Sequence, residues 1–506
     1  MTLPSTDTRP SLTTQAFWLL TAKVLGYAFT FIVPLLLVRV LSLVEFGLYK
    51  QTFLVIATAQ SVLPLGVGLS AFYFLARERE RQPSIVLNIL LFNLLTGGTA
   101  WLLLASQPQI LTRLLGNDEL VPYAPLIGLV IFLWVLSSFL EIVATAHQEV
   151  RYSTMFIVAA QLTRGVAMVA ATLWFASIRA LLYAALLQGI VQAIVMLWYL
   201  RSRFGAFWRR FDRGLLWTQL AYAMPFGLAG LIYTLQIDLH KYFVAHAFGA
   251  GTFAIYAVGC FQLPLTALLR DSVGSVMVSR VTLLQQQEGR TEIASLIVRV
   301  MRKLALVYLP LYAFLVVTGR EFIVALFTAR FLESWPIFLV NLTLLPLAIL
   351  VNDPVLRAYP EHRHFLLKLR LVLLAVLVVA VQAGIARFGM LGAITAVVTT
   401  VVVERVIITW RVARILHVGR ADLHPLVDVV RIGAAAASAA VIAVAAKGAL
   451  AGQSAVIVLF VCGLAYGIAY VAGLLLLRVP NVEEATLAQR QWSRLRRRLS
   501  FAAQPS

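Results

Sequence analysis

Several charged side chains sit inside apolar runs long enough to cross a bilayer, and any chemistry this chain performs must involve them. The stretch Thr218 to Asp271 holds two such runs, roughly Gln219–His246 and Thr252–Ser275. The first carries Asp238, His240 and Lys241, and the second ends in Arg270 and Asp271. At about 1.5 Å of rise per residue, each run can cross a hydrocarbon core about 30 Å thick. A charge in the middle of a spanning helix costs about 2.5–3.5 kcal/mol, so it needs a partner or a wet cavity. Two proline-bearing spans with polar residues on their inner faces point to a transport pathway. Asp238 and Lys241 are three apart on one helix face, which allows a local ion pair; the alternative is a site for a coupling Na+ or H+ at Asp238. Glu141 near the inner end of a fourth span and Glu404 in a twelfth are further candidates for ion coupling. Arg164 is the deepest cation, about eleven residues or roughly 16 Å into a fifth span. Such depth is set against easy snorkelling and leaves a cavity role or a buried structural pair. Lys23 lies about eight residues into the first span, where partial snorkelling competes with a cavity role. Arg39 and Lys50 flank the first outer loop and read as interface charges. Gln60, Gln161, Gln188, Gln192, Gln236 and Gln262 can bridge helices by hydrogen bonds or, collectively, suit a sugar-binding cavity.

The elements that position these residues follow from composition. Hydrophobic residues make up 61% of 506 and charged residues 13%, with apolar runs along the whole length. The expected fold is an all-α polytopic membrane protein rather than a soluble enzyme. A net charge of +20 raises nucleic acid as a partner, but the basic residues lie in short loops between spans. There they orient the chain and meet anionic lipid, so no nucleic-acid partner is expected. Cys260 and Cys462 fall in separate apolar runs with no metal or redox spacing. Met1–Thr14 leads into the first span without a small-residue cleavage site, so no cleaved signal peptide is expected.

Hydropathy gives fourteen candidate spans: 15–41, 50–75, 84–105, 123–146, 153–176, 180–200, 219–246, 252–275, 303–326, 337–356, 366–386, 391–411, 430–450 and 455–477. They group into a tail (1–14), an N-lobe (15–200), a basic linker (201–217), a C-lobe (218–411), an appended helix pair (412–477) and a basic tail (478–506). With an even number of spans, most of the 42 lysines and arginines fall on one side; the rule that positive loops stay inside puts both termini in the cytoplasm. Outer loops are short, the longest being Ser106–Pro122, which leaves no room for an external enzyme domain. Within the inner loop Val278–Arg302, Gly289 breaks the pattern and Thr291 can cap a short helix re-entering the ninth span. In the tail, Ala488, Trp492, Leu495 and Leu499 form an apolar stripe among arginines, an amphipathic helix suited to the anionic inner leaflet.

The halves repeat. Phe46-Gly47-Leu48-Tyr49 recurs as Phe253-Ala254-Ile255-Tyr256, Pro64 is matched by Pro264, and Pro34 loosely by Pro225. Each half is six spans starting from the same side, so the repeat axis runs along the membrane normal. Lobes related this way commonly enclose a midplane site and rock about it.

The opening run TQAFWLLTAKVLGYAFTFIVPLLLVRVLSLVEFGLYKQ, with Glu45-Phe46-Gly47-Leu48-Tyr49 after its short loop, resembles polysaccharide-export flippases of the Wzx type. These belong to the multidrug/oligosaccharidyl-lipid/polysaccharide exporter superfamily, whose architecture is MATE-like. AYAMPFGLAGLIYTLQIDLHKYFVAHAFGAGTFAIYAV is similar to the same family's seventh span. The resemblance implies a flippase that moves a polyprenyl-pyrophosphate-linked oligosaccharide across the bacterial inner membrane for cell-surface polysaccharide, such as O-antigen. It also places basic residues at Lys23 and Arg270, which with Arg164 would line a cationic cavity; by position alone Arg270, about five residues from the inner end of its span, reads as an interfacial anchor. A pyrophosphate headgroup needs such a lining to offset its desolvation, arginine supplying two parallel hydrogen bonds. A polysaccharide polymerase or other assembly protein is a possible partner.

Other classes fit less well. None of the six lysines follows a glycine, so no phosphate-binding P-loop exists. There is no HExxH, Glu361-His362-Arg363-His364 reads as a solvated loop, and neither a metal nor a cofactor beyond a coupling ion is expected. A multidrug cation antiporter of the same superfamily is the alternative, but it would want acids in its cavity, where the deepest charge is an arginine. A membrane polymerase would need larger outer loops.

Overall fold

A computed structural model describes residues 31–287, 289–359, 363–419 and 426–479. Among them there is helix and no strand, as an apolar chain in lipid requires, because each helix satisfies its own backbone groups. Lys23 and the amphipathic tail lie outside the described residues.

The first visible helix, α1, covers Phe31–Val40. Ser42 then starts α2 (Leu43–Val62): its Oγ accepts from the Glu45 N–H at 3.2 Å, and its own N–H donates to the Glu45 carboxylate at 2.9 Å. This capping box satisfies two orphan donors and begins the helix at Leu43, ahead of the expected 50. After a break around Pro64, α3 (Ser70–Arg77) continues the span at a 43° bend. Next come α4 (Gln82–Ser106), the short α5 (Gln109–Leu115), α6 (Ala124–Ser137), α7 (Leu140–Ala146), α8 (Val150–Phe175) and α9 (Ile178–Phe204). The second half runs α10 (Arg213–Ala247), α11 (Ala250–Gly259), α12 (Pro264–Gln286), α13 (Arg290–Phe327), α14 (Trp335–Leu342), α15 (Leu344–Leu347), α16 (Asp353–Ala358), α17 (Arg363–Ile415), α18 (Val427–Ala449) and α19 (Ala455–Leu476).

Nine helices among the described residues are long and apolar enough to span a membrane, or eleven counting the bent pairs α2–α3 and α11–α12. One of the nine, α17, runs for 53 residues, roughly 80 Å at helical rise, too long for one crossing. Gly389 interrupts it at φ 58°, a backbone that favours glycine, and divides it into the two spans expected there. The tenth expected span is broken into α14, α15 and α16, with Pro336, Pro346 and Pro354 withholding backbone donors. With α1 as the visible end of the first span, the arrangement is consistent with fourteen crossings. One detail differs from expectation. No short helix starts at Thr291; α13 is a single 38-residue helix from Arg290, whose Ile293 N–H bonds the Gly289 carbonyl.

The chain divides into two compact units, one of residues 1–268, 326–341 and 364–400, the other of 269–325, 342–363 and 401–506. In the first, Phe74, Ile85, Ile89, Phe139, Val143, Met196, Leu200 and Ala223 build a core from α3, α4, α7, α9 and α10. Buried amides fasten it. Asn88 donates to the Gln219 Oε1 and to the Asp212 carbonyl, both at 3.0 Å, and Gln219 donates to the Ser70 Oγ at 3.2 Å. Asp212 in turn caps α10 by accepting from the Leu215 N–H. Asn88→Leu is expected to cost about 1–3 kcal/mol by leaving the buried Gln219 Oε1 without its donor. Thermal unfolding in detergent checks this, and an unchanged midpoint would show the amide to be idle.

The repeated motifs meet in this unit. Phe46, Tyr49, Phe253 and Tyr256 are all buried, and α2 packs on α11 so closely that a methyl built on Gly47 would overlap the Ala250 carbonyl. In the second unit, α18 and α19 pair and lean on α13. Ala439 and Ala443 form the small face that lets them approach Tyr466, Phe314 and Val317. Ion pairs hold both ends: Arg302 to Asp428 at 3.0 Å and Lys447 to Glu321 at 2.8 Å. Elsewhere the surface is inside-out for a soluble protein, with Trp174, Leu173, Phe388 and Phe460 exposed, as residues facing lipid should be.

Candidate functional site

Four charged residues of the first unit, Lys50 on α2, Arg164 on α8, and Asp238 and Lys241 on α10, lie around Trp134 of α6 and the aromatic rings of α2. Arg164 lies fourteen residues past the start of α8, about 21 Å along it. Its guanidinium is 4.6 Å from the Trp134 ring centroid and 5.8 Å from that of Phe53. The indole is fixed in turn, because its Nε1–H donates to the Ala185 carbonyl at 3.1 Å, and Phe53 packs on Tyr49 with centroids 4.9 Å apart. A cation over an aromatic face gains about 0.5–2 kcal/mol, which orients Arg164 while leaving its N–H groups to donate elsewhere.

Lys50 stands one helical turn from this frame, its ammonium 5.3 Å from the Phe46 centroid and 5.7 Å from that of Tyr49. Lys241 of α10 is close enough to act on Lys50 electrostatically. Lys241 has its own carboxylate, Asp238, at 2.6 Å. Neither Arg164 nor Lys50 has a carboxylate in ion-pair range among the described residues. Two positive charges are thus left over, on side chains that protein encloses yet leaves partly accessible. Uncompensated cations in a membrane-spanning unit call for an anion. Beside them, His240 and Tyr256 share a buried hydrogen bond of 2.5 Å between α10 and α11. Among the described residues no three His, Cys, Asp or Glu side chains gather as a metal site would need.

Residues 36–336 match the model of a family described as polysaccharide biosynthesis protein, more than half of the chain. The chain belongs to that family. The expected resemblance to export flippases of the Wzx type therefore stands. No curated protein matches the sequence. Among solved structures, this polysaccharide biosynthesis family member is similar to the lipid II flippase MurJ in an inward closed conformation. The TM-score is 0.70 at 11% identity, over 90% of this chain and 98% of that one. It is similar also to an inward-facing multidrug resistance MATE family transporter of the MOP superfamily, with TM-score 0.61, 16% identity, and 78% and 95% coverage. A third likeness is to a MOP superfamily transporter from Pyrococcus furiosus, with TM-score 0.55, 14% identity, and 81% and 98% coverage. At these identities the likeness shows the fold, which those multi-pass membrane transporters and flippases share.

For this family member, the structure brings Arg164, Asp238 and Lys241 into one unit. Arg270 is exposed on α12 in the second unit, within electrostatic reach of Tyr308. Glu404 is buried in the second unit, while its neighbour Arg405 bonds Asp353 at 3.6 Å. Glu141 sits in the first turn of α7 with an exposed side chain, its carbonyl accepting from Thr145 at 2.8 Å. The expectation for Lys50 needs correction: it is a half-buried member of the cluster, not an interface charge. The signal for this was readable. Ser42-Leu43-Val44-Glu45 is a capping-box sequence, and it starts α2 two turns before Lys50 instead of at it. Arg39, by contrast, is exposed and donates to the Leu35 and Leu326 carbonyls.

Proposed function

We propose that this protein carries a polyprenyl-pyrophosphate-linked oligosaccharide across the bacterial inner membrane, both termini lying in the cytoplasm. The observation that carries the reading is the pair of cations, Arg164 and Lys50, left without a carboxylate partner and braced by Phe46, Tyr49, Phe53 and Trp134. In this reading Arg164 takes the pyrophosphate through paired N–H donors and Lys50 adds a second charge, together offsetting the headgroup's desolvation. Transport proceeds by alternating access, with Lys23 and Arg270 as further candidate cations for the headgroup. Asp238 is the coupling site: Na+ or H+ at its carboxylate releases Lys241, which then adds a third cation. Glu141 and Glu404 are secondary candidates for that coupling.

The test is ligand-induced thermal stabilisation of the purified protein. A ligand at about a hundred times its dissociation constant adds about 2.7 kcal/mol of stability. A polyprenyl-pyrophosphate sugar lipid is expected to stabilise, and a lipophilic cation is not. The reverse outcome would replace this reading with a multidrug cation antiporter. Asp238→Asn, which frees Lys241 permanently, is expected to tighten binding of the anionic lipid while abolishing ion-dependent transport in proteoliposomes. Unchanged ion dependence would remove Asp238 from the coupling role.

A further inference from the structure

The segment between α9 and α10 is short and is folded into a fixed shape. Only eight residues, Gly205 to Asp212, separate two membrane-spanning helices, so chain connectivity alone holds it at a water–lipid boundary. Its inward face is pinned: Phe204, Phe207 and Leu215 are part of the core, and the Asp212 carbonyl accepts from the buried Asn88. The other face presents Trp208, Arg209, Arg210, Phe211, Arg213 and Trp217, all exposed. Arg201 stacks on Trp208 at 5.1 Å and supports it from behind. The neighbouring acids are already committed. Glu149 binds Arg203 at 2.9 Å, and the Asp212 carboxylate caps α10. Arg209, Arg210 and Arg213 have no carboxylate partner among the described residues.

We infer that this face is a docking surface for the headgroups of anionic phospholipids. Tryptophan and phenylalanine seat at the level of the headgroups, and arginines between them meet phosphate with paired N–H donors. The rigid backing matters. Because the loop backbone is pinned from below, the points from which its arginines project are fixed before lipid arrives, and less backbone ordering entropy opposes binding. The surface is independent of the transport reading, since none of its residues belongs to the Arg164 cluster.

Native mass spectrometry of the full-length protein tests it, with phosphatidylglycerol and phosphatidylcholine of identical acyl chains as probes. Each arginine near an anionic leaflet adds about 1 kcal/mol, so three together supply a preference of about a hundred-fold. The wild type is expected to retain phosphatidylglycerol over phosphatidylcholine, and R209Q/R210Q/R213Q to lose that preference. A charge-matched control, R113Q/R179Q/R387Q, alters exposed arginines elsewhere and is expected to keep it. High salt on the wild type, which needs no variant to fold, should reduce the preference in parallel. Equal retention by wild type and triple variant would overturn the assignment. So would equal loss in the control, which would show bulk charge rather than this surface, or persistence of the preference in high salt.

Discussion

Arg164→Gln is expected to abolish stabilisation by a polyprenyl-pyrophosphate sugar lipid and to stop its transport in proteoliposomes. Removing one partner of a desolvated charge pair costs about 2–5 kcal/mol, a weakening of roughly thirty-fold to several thousand-fold. Arg164→Lys keeps the charge but loses the planar fork and is expected to fall between. A second signature separates this role from a structural one. Arg164 has no carboxylate among the described residues, so in the empty protein its charge is a burden of desolvation, relieved in part by Trp134 and Phe53. Arg164→Gln should therefore unfold at the same temperature as the wild type or higher when no ligand is present. A variant that is destabilised without ligand, yet still responds to the lipid, would make Arg164 a structural residue and defeat the cavity assignment.

Gly47→Val should destabilise the protein by more than the usual cost of a surface change. Elsewhere in a helix, replacing glycine with alanine gains up to about 1 kcal/mol, because glycine carries extra backbone entropy. At Gly47 the sign reverses. The atoms that a new Cβ meets are the Ala250 carbonyl and Cα, which are backbone and cannot rotate away. The helices α2 and α11 must part, which loosens the buried Phe46, Tyr49, Phe253 and Tyr256. Overpacking of this kind costs about 1–3 kcal/mol before the lost burial is counted. Gly230→Ala provides the comparison, since a Cβ there meets nothing within 4 Å. Thermal unfolding of both variants in one detergent should show Gly47→Val well below wild type and Gly230→Ala at or above it. Equal behaviour would mean that the contact between the two repeat motifs holds nothing together.

Much of this molecule is legible in the sequence alone. The all-helical membrane fold, the recurrence of the Phe-x-x-Tyr motif, the spans on either side of Gly389 and the depth of Arg164 are all one-dimensional properties. They follow from how many apolar residues a bilayer demands and from where charges interrupt them. The start of α2 was equally local, written in Ser42 and Glu45. Local rules did not give the partners. Phe53, Trp134 and Arg164 lie on three different helices, and nothing in their spacing announces that they form one box. Nor does hydropathy single out Gly47 as the glycine on which α2 meets α11 while Gly230 touches nothing. The physical reason is that lipid is as apolar as a protein core. A spanning helix is hydrophobic on every side, so periodicity cannot distinguish the face that meets lipid from the face that meets another helix. That choice is made by close packing and by a few buried polar bonds, such as Asn88 to Gln219, and those exist only once the helices are assembled.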